Sequence, residues 1–404
     1  MKTLKKLLFF FLFLGVIFSV ITVYYYWQYN LPLVNPLSLL ETYIAPTRVK
    51  DRLVYGFFPY WNSKYAEKLH ISDITHFAYF AIDLNPDGSI NKRVNPKELE
   101  PGWNKLNSDV ISKVLYQVHL LNHKTVIVAT AMDPDLIESI INNENNKEMA
   151  LNSILEVYRK FNFNSINIDF EYVGTPNETT QKNFSNFVSN LKTRCMVINA
   201  GCEVDIDVFA DSARKVRLQN LETLSSIADH IVVMAYDYYR KTSTQAGPVA
   251  PLRGACQNNE NTNCLEQDIN TNLSEITKLV SSTKVILGIP FYGYQWQTVS
   301  SDFLSNTFAG TGSLASYQRI MSLFSDPTVS SLSAHWSSNT LSPYLTFMTD
   351  NKNYQIQFEN PQSIELKINL VKSANLGGIA IWALGYEVPY LDIWQPISDY
   401  LNNP

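Results

Sequence analysis

The chain has 404 residues, of which 46% are hydrophobic and 17% charged, and its net charge is −5. This composition is typical of a globular protein and excludes a disordered chain, and the length suits one large domain or two ordinary ones. The net negative charge excludes a basic surface for nucleic acid, while aromatic residues, at 13%, are frequent enough to line a sugar-binding groove or to pack a core.

The N-terminus has the pattern of a membrane anchor. Lysines within the first six residues precede an apolar run from Leu7 to about Tyr26, and about 20 apolar residues can cross a bilayer. We expect residues 1–27 to form an uncleaved, single-pass signal anchor in the cell membrane, with the following chain on the extracytoplasmic side. A cleaved signal peptide, which would give a secreted protein, is the alternative. Residues 28–52 then form a tether to a domain over 53–400.

Apolar runs alternate with helical patterns along the rest of the chain. The predicted strands are residues 52–61, 74–82, 124–132, 165–173, 196–204, 230–239, 284–293 and 377–385. Eight strands that alternate with helices favour an α/β fold of the (β/α)8 TIM-barrel type. A doubly wound open sheet is the alternative, although no GxGxxG phosphate loop follows the first strand.

The segment of about 294–353, between the seventh strand and the last long helix, is too long for an ordinary loop. We predict that it forms an inserted lobe, with a helix in "SLASYQRIMSLF".

The fourth predicted strand carries polar residues where a buried strand should be apolar. In "SINIDFEYVG", Asn167, Asp169 and Glu171 alternate with apolar residues, so their side chains share one face. Burying unpaired carboxylates is costly, so the pattern indicates either a catalytic site or a solvated strand end. Catalytic residues of (β/α)8 barrels lie at the carboxyl ends of strands, where this pattern stands.

Other predicted strands also end in residues that suit a sugar-binding cleft, although those on the first, second and eighth strands also suit an ordinary core. They are Tyr60 and Trp61 on the first strand, Tyr79 on the second, Met234, Tyr236 and Asp237 on the sixth, and Trp382 on the eighth.

Two carboxyl groups at close range raise the pKa of one of them, and a protonated glutamic acid can donate to a leaving-group oxygen. That donation is half of glycoside hydrolysis. The strand pattern shows no second carboxylate across the sugar, which leaves substrate assistance, where the sugar's own N-acetyl group attacks the anomeric carbon. Asp169 would then hold the acetamido group, Tyr236 would donate to its carbonyl oxygen, and Trp382 would stack on the sugar. This chemistry needs no metal or organic cofactor.

The same residues resemble the motifs of family-18 glycoside hydrolases, the chitinase-like family. "NSINIDFE" resembles the signature DGxDxDxE, "MAYDYY" resembles MxYD, and "GIAIWALG" resembles the closing Trp strand. The resemblance covers about residues 53–398 and implies a retaining, substrate-assisted cleavage of N-acetylglucosamine-containing polysaccharide. The roles that it implies are proton donation by Glu171, orientation of the N-acetyl group by Asp169, contact with that group by Tyr236, support of the sugar by Asp237 and a subsite floor at Trp382.

The chain departs from the usual signature at three positions, since Asn164 and Asn167 replace acidic residues and Ser165 replaces glycine. An amide at position 167 cannot share a proton or charge with Asp169. The NxDxE form, "FENPQSIELK" and "WALGYE" are similar to a bacterial branch that includes spore-cortex and cell-wall hydrolases, which favours peptidoglycan over chitin as substrate.

Two other classes of function remain open from the sequence. The first is a catalytically silent, lectin-like protein on the same barrel. The retained Glu171 and Asp169 favour an enzyme over it, whereas the two asparagines keep it open. The second is a structural, partner-binding surface protein, which would bind no sugar.

The four cysteines suit an extracytoplasmic chain. Cys256 and Cys264 bracket a polar loop and could form a disulfide, and Cys195 and Cys202 could pair as well. No CxxC pair is present, so the sequence predicts no zinc or redox site.

Overall fold

The computed structural model describes residues 52–256 and 264–402. The predicted signal anchor and nearly all of the predicted tether lie outside these residues. In the part of the chain that is described, no helix combines the length and the apolar character needed to cross a membrane.

The strands and helices alternate along most of the chain. The strands are β1 (Leu53–Pro59), β2 (His76–Asp83), β3 (Arg93–Asn95), β4 (Glu98–Leu99), β5 (Lys124–Ala131), β6 (Ser165–Phe170), β7 (Glu203–Phe209), β8 (Ile231–Met234), β9 (Val285–Pro290), β10 (Tyr292–Thr298), β11 (Ser313–Ser316), β12 (Ser330–Ser337), β13 (Ser342–Thr349), β14 (Lys352–Gln357) and β15 (Gly378–Trp382). The α-helices are α1 (Pro101–Leu106), α2 (Asp109–Leu120), α3 (Pro134–Ile141), α4 (Glu144–Lys160), α5 (Glu178–Ile198), α6 (Leu221–Ser225), α7 (Ile269–Leu279), α8 (Tyr317–Ser322), α9 (Pro361–Ser373) and α10 (Gln395–Asn402).

Eight parallel strands close into a barrel in the order β1, β2, β5, β6, β7, β8, β9 and β15, and β15 pairs with β1. The predicted (β/α)8 barrel is therefore confirmed, and the open-sheet alternative is wrong. The fifth strand, however, was predicted at 196–204, whereas it runs from Glu203 to Phe209. The apolar "MVI" that suggested the strand forms the last turn of α5 instead.

The barrel interior is apolar on one side and polar on the other. Side chains of barrel strands alternate between the interior and the surrounding helices. Val128 of β5 and Ile286 of β9 belong to the apolar interior cluster. Asn167 of β6 is in register with Val128 and with Asp205 of β7, so β6 and β7 present amide and carboxyl groups to the interior.

A polar network closes the amino-terminal end of the barrel. Glu203 accepts a hydrogen bond from Lys124 Nζ, and its Oε2 lies 3.2 Å from His76 Nε2. The fully buried Asp205 accepts from the Tyr55 hydroxyl, and its Oδ1 lies 2.8 Å from His230 Nδ1. Burial alone would raise the pKa of the Glu203 carboxyl, but its partners His76 and Lys124 lower the pKa to about 2.

The segment between β9 and β15 forms a separate antiparallel sheet in the order β11, β10, β14, β13 and β12. The helix predicted over "SLASYQRIMSLF" is shorter than expected, because its first residues, Ser313–Ser316, form β11 and only Tyr317–Ser322 are α-helical. After this sheet, Asn360 caps α9 through a capping box with Ser363. A fully buried ion pair, 2.6 Å between Lys367 Nζ and Glu359 Oε2, joins α9 to the end of the sheet.

Both pairs of cysteines are joined as disulfides. Cys195 bonds to Cys202, and Cys256 bonds to Cys264.

Candidate active site

Asp169 and Glu171 lie at the carboxyl end of β6, where the barrel opens to solvent. The last strand residue is Phe170, and the backbone N–H of Glu171 still donates to Ala131 of β5, 2.9 Å away. Asp169 is only 3% exposed, whereas Glu171 is partly exposed. One carboxyl group is therefore enclosed by the barrel, and the other reaches the mouth.

Both carboxyl groups hold their protons more strongly than usual. Burial, followed by the nearby Asp207 and Glu171, raises the pKa of Asp169 well above its ordinary value. Burial also raises the pKa of Glu171, Asp237 adds to this effect, and Arg240 opposes it. A partly exposed glutamic acid with a raised pKa meets the requirement for a general acid.

Asp207 on β7 is an interior carboxyl group that the sequence analysis did not assign to the site. It is 5% exposed, and its Oδ1 accepts a hydrogen bond from Asn167 Nδ2 at 2.7 Å. The signal for it was present, because "EVDIDVF" repeats the alternation of "NIDFE" on the next strand. Because the fifth strand was predicted at 196–204, the alternation over Glu203–Phe209 was not recognised.

Tyr236 and Asp237 follow β8 and face the same mouth. Four carboxyl groups of the site surround Tyr236, and burial together with these groups raises the pKa of its hydroxyl well above the usual value. Asp237 has a left-handed backbone (φ 61°). Its Oδ1 accepts hydrogen bonds from Tyr292 and, at 2.9 Å, from Tyr294, both on β10 of the inserted sheet. The inserted sheet therefore fixes the orientation of an aspartate at the barrel mouth.

A cavity of about 360 Å³ adjoins Tyr236 and Asp237. Met234 lies on its wall, and so does the cationic side chain of Arg240. Arg240 is exposed, and its Nε donates to the backbone oxygen of Asp237 at 3.3 Å.

Trp382 belongs to an aromatic cluster at the mouth. Its ring lies edge-on to Phe80, with 4.6 Å between centroids, and 6.3 Å from the ring of Trp61. Trp61 is 44% exposed, and its Nε1 donates to the Tyr386 hydroxyl at 3.4 Å. Such a group of partly exposed rings suits stacking against the apolar face of a sugar.

Two predicted contacts point elsewhere. Tyr79 is fully buried in the layer between barrel and helices, and its hydroxyl donates to the carbonyl of Gly102 at 2.7 Å. It lies on the outer face of β2, so its prediction as a substrate contact is wrong. Tyr60 lies edge-on to Trp61 at 5.0 Å and packs against the same outer layer.

Asn164, the first departure from the usual signature, lies at the other end of the strand. Its Oδ1 accepts from the backbone N–H of Thr125 at 2.9 Å and from the hydroxyl of Thr125 at 3.0 Å. This contact requires only an acceptor oxygen, which an amide supplies as well as a carboxylate does.

Among the described residues, one cluster of metal-ligand type brings donor atoms within 4.8 Å of one another, formed by Glu203, Asp205 and His230 at the barrel base. Its donor atoms are already engaged by Lys124 and Tyr55, and it lies at the end opposite the candidate site.

A parallel eight-stranded barrel with a partly exposed acid, an enclosed carboxyl group and an aromatic cluster at its mouth has the groups that an enzyme acting on carbohydrate requires. Comparison with protein families gives the particular family: the model "Glycosyl hydrolases family 18" matches residues 54–387. The chain therefore belongs to family 18 of the glycosyl hydrolases and is a glycosidase, which confirms the resemblance in the sequence.

The chain is similar to known glycosidases of different organisms, of which two are described here. The chain is 25% identical over 270 residues to "Probable di-N-acetylchitobiase 1" of Dictyostelium discoideum, covering 60% of this chain and 67% of that one. It is 25% identical over 280 residues to "Cortical fragment-lytic enzyme" of Bacillus subtilis, covering 67% of this chain and 58% of that enzyme. The spore-cortex branch is thus among its relatives.

Solved structures share the fold. A family-18 chitinase of Cycas revoluta, in complex with (GlcNAc)4, superposes with a TM-score of 0.72 at 19% identity, over 86% of this chain and 99% of that one. The spore cortex-lytic enzyme of Bacillus megaterium superposes with a TM-score of 0.66 at 17% identity, over 86% of this chain and 74% of that one.

Proposed function

We propose that this glycosidase cleaves β-1,4 bonds in N-acetylglucosamine-containing glycans with retention of configuration and with assistance from the substrate's acetamido group. The observation that carries the proposal is the pair at the end of β6, with Glu171 partly exposed and Asp169 enclosed two residues before it. Glu171 is placed to protonate the leaving oxygen, and Asp169 to accept the acetamido N–H.

The mechanism assigns each step to a side chain. The acetamido oxygen attacks the anomeric carbon while the Glu171 proton passes to the departing oxygen. Asp169, as a carboxylate, accepts the acetamido N–H and opposes the positive charge that develops on the cyclised ring. The Tyr236 hydroxyl keeps its proton because its pKa is raised, so it can donate to the acetamido oxygen. Water, deprotonated by the Glu171 carboxylate, then opens the ring.

The substrate is proposed to be peptidoglycan or a chitin-like glycan, with the cell-wall glycan preferred. Relatives named as a chitobiase and as cortical fragment-lytic enzymes support an N-acetylglucosamine substrate, as does the (GlcNAc)4 bound by the Cycas revoluta chitinase. The exposed Arg240 beside the cavity supports the preference for peptidoglycan, because the peptides of that glycan carry carboxylates.

The test compares the full-length protein with Glu171→Gln on N-acetylglucosamine tetramer and on purified peptidoglycan. We expect the wild type to release the β-anomer first, seen by proton NMR, and the variant to bind but not to cleave. A thiazoline analogue of the cyclised intermediate should inhibit the wild type. If both proteins bind the glycans and neither cleaves, the chain is a lectin-like relative; if neither binds, the proposal is wrong.

We also propose that the enzyme works on the extracytoplasmic side of the cell membrane, held by residues 1–27. The apolar run after the N-terminal lysines supports this location, and the two disulfides suit an oxidising compartment. After cell fractionation, the full-length chain should remain with the membranes through alkaline extraction. In intact cells whose outer surface is accessible, added protease should digest the domain. Recovery of a shortened soluble form would indicate signal cleavage instead.

A further inference from the structure

The inference concerns Asp207, the interior carboxyl group beside the candidate acid pair, and it rests on the proposed function. Asn167 and Asp205 are in register on β6 and β7, and two residues further along these strands stand Asp169 and Asp207. Both carboxyl groups are buried and face the same interior.

Asn167 links the two strands. Its Nδ2 donates to Asp207 Oδ1 at 2.7 Å, which fixes the carboxyl of Asp207 beside the base of the site. Within residues 52–256 and 264–402, Asn167 Oδ1 and Asp169 Oδ1 are both buried without a hydrogen-bond partner. Two orphaned acceptors next to a buried carboxyl group indicate that a proton is held in this cluster, because buried polar oxygens are rarely left unpaired.

In the part of the chain that the structure describes, no cation acts on the pKa of Asp169 or of Asp207. The groups that face Asp207 electrostatically are Asp169 and Glu171 from β6, Asp205 from its own strand, Tyr236 after β8 and Tyr55 from β1. All of these groups are negative or neutral. Two buried like charges at close range cannot both ionise without a large cost, so the pair of Asp169 and Asp207 holds one negative charge between them.

We infer that Asp207 is a positioning residue that shares one negative charge with Asp169 and so takes over, from the neighbouring strand, the task that Asn167 cannot perform. When the acetamido N–H of the substrate donates to Asp169, the charge is drawn to Asp169 and the proton rests with Asp207. When product leaves, the charge is shared again. The cluster keeps the same number of protons throughout, so no external reactant is needed.

The arrangement also assigns a use to the amide at position 167. With carboxyl groups already at 169 and 207, a third acid at 167 would place another like charge in the same enclosed space. The amide of Asn167 and the carboxyl group of Asp207 therefore act together, joined by their hydrogen bond.

The test exchanges the two groups. Asp207→Asn, Asn167→Asp and the double exchange are compared with wild type by the pH dependence of kcat/KM on N-acetylglucosamine tetramer. Without Asp207 the single charge has only Asp169 to occupy, so the acid limb of the profile should move to higher pH, by about 0.3 unit if the two sites are equivalent in wild type. With a third acid, in Asn167→Asp, the single charge has one more site, so the acid limb should move to lower pH. The double exchange restores one acid and one amide, so its limb should return close to that of wild type.

Controls separate this role from a structural one. Asp87→Asn removes a carboxylate from an exposed turn and should leave the limb in place. A purely structural Asp207 would lower activity in both single variants and in the double exchange without opposite shifts of the limb, and that result would overturn the inference. Melting temperatures identify any variant that fails to fold.

Failure of the proposed function is a separate result. A folded wild type that does not cleave the tetramer contradicts that function. The inference is then decided by carbon-13 NMR titration of aspartate carboxyl groups in the unliganded protein, which requires no turnover. The carboxyl carbon of Asp169 should titrate in two partial steps in wild type and in a single step in Asp207→Asn, and a single, unchanged step in both proteins would refute the shared charge.

Discussion

The ring of Tyr236 occupies space that a side chain at position 288 would fill. A Cβ built on Gly288 would stand 3.0 Å from Tyr236 Cε1 and 2.5 Å from the carbonyl oxygen of Val233. Gly288 is therefore required by close approach, and it lets the tyrosine ring lie against β9 with its hydroxyl among the acids of the site.

Tyr236→Phe should leave this packing intact and remove only the hydroxyl. Because that hydroxyl is assigned to the charge that develops on the acetamido oxygen, we expect kcat to fall about 100-fold or more with little change in KM. Steady-state kinetics on N-acetylglucosamine tetramer measures both. Tyr158→Phe, whose hydroxyl lies near Asn164 O at the far end of β6, is the matched control. An equal rise in KM with constant kcat would contradict the assigned role.

Arg240→Gln should shift the alkaline limb of the pH profile. Arg240 lowers the pKa of Glu171, so its removal raises that pKa and keeps the acid protonated to higher pH. The shift should be less than about one unit, since Arg240 is exposed, and should shrink in high salt. The kcat/KM profile checks it, with Arg319→Gln on α8 as control. A shift to lower pH would show that the sign is wrong.

Lys367→Met should destabilise the fold without changing any residue of the candidate active site. It leaves the fully buried Glu359 unpaired, which costs about 3–5 kcal/mol of the free energy of unfolding. Adding Glu359→Gln should recover most of this loss, because the uncompensated charge is gone. Denaturant unfolding measures both. Lys147→Met, which breaks a pair with the exposed Glu144, should cost under about 1 kcal/mol; equal losses in the two lysine variants would refute the argument.

Glu203→Gln should lower the free energy of unfolding at neutral pH, and this effect should disappear in acid. The folded pKa of Glu203, about 2, lies below the unfolded value of 4.5, so its contribution is complete above pH 4.5 and disappears as the pH falls towards 2. The free energy of unfolding of the wild type should therefore exceed that of the variant by up to about 3 kcal/mol at neutral pH, and the two values should converge near pH 2. Denaturant unfolding across this range is the measurement. Glu148→Gln, at an exposed pair with Arg194, controls for loss of any carboxylate; a constant difference across the range would contradict the linkage.

The sequence predicted the barrel because its strands are short apolar runs separated by helices. It also located Asp169 and Glu171, since carboxylates every second residue are conspicuous in an apolar strand. It did not place Asp207, because the apolar end of α5 resembles a strand when it is considered locally. The structure ends that helix before a turn and starts β7 at Glu203.

Orientation was harder to predict than position. Tyr79 lies on a predicted strand, but alternation alone does not say which of its two faces meets the interior. The strand register supplies that information, and it turns Tyr79 towards the helices. The contacts of Tyr292 and Tyr294 with Asp237 were also invisible, because they join residues more than fifty positions apart.

The hydrogen bonds from β10 to Asp237 also limit how the inserted sheet and the barrel can be exchanged between relatives. Two hydroxyl groups from the inserted sheet fix one aspartate of the barrel, so the boundary between these units passes through the cleft and does not run around it. In a chimera that takes the sheet from one relative and the barrel from another, the aspartate at position 237 would lose its two hydrogen-bond donors unless the sheet also carries tyrosines at positions 292 and 294. The two units are inherited as a matched set.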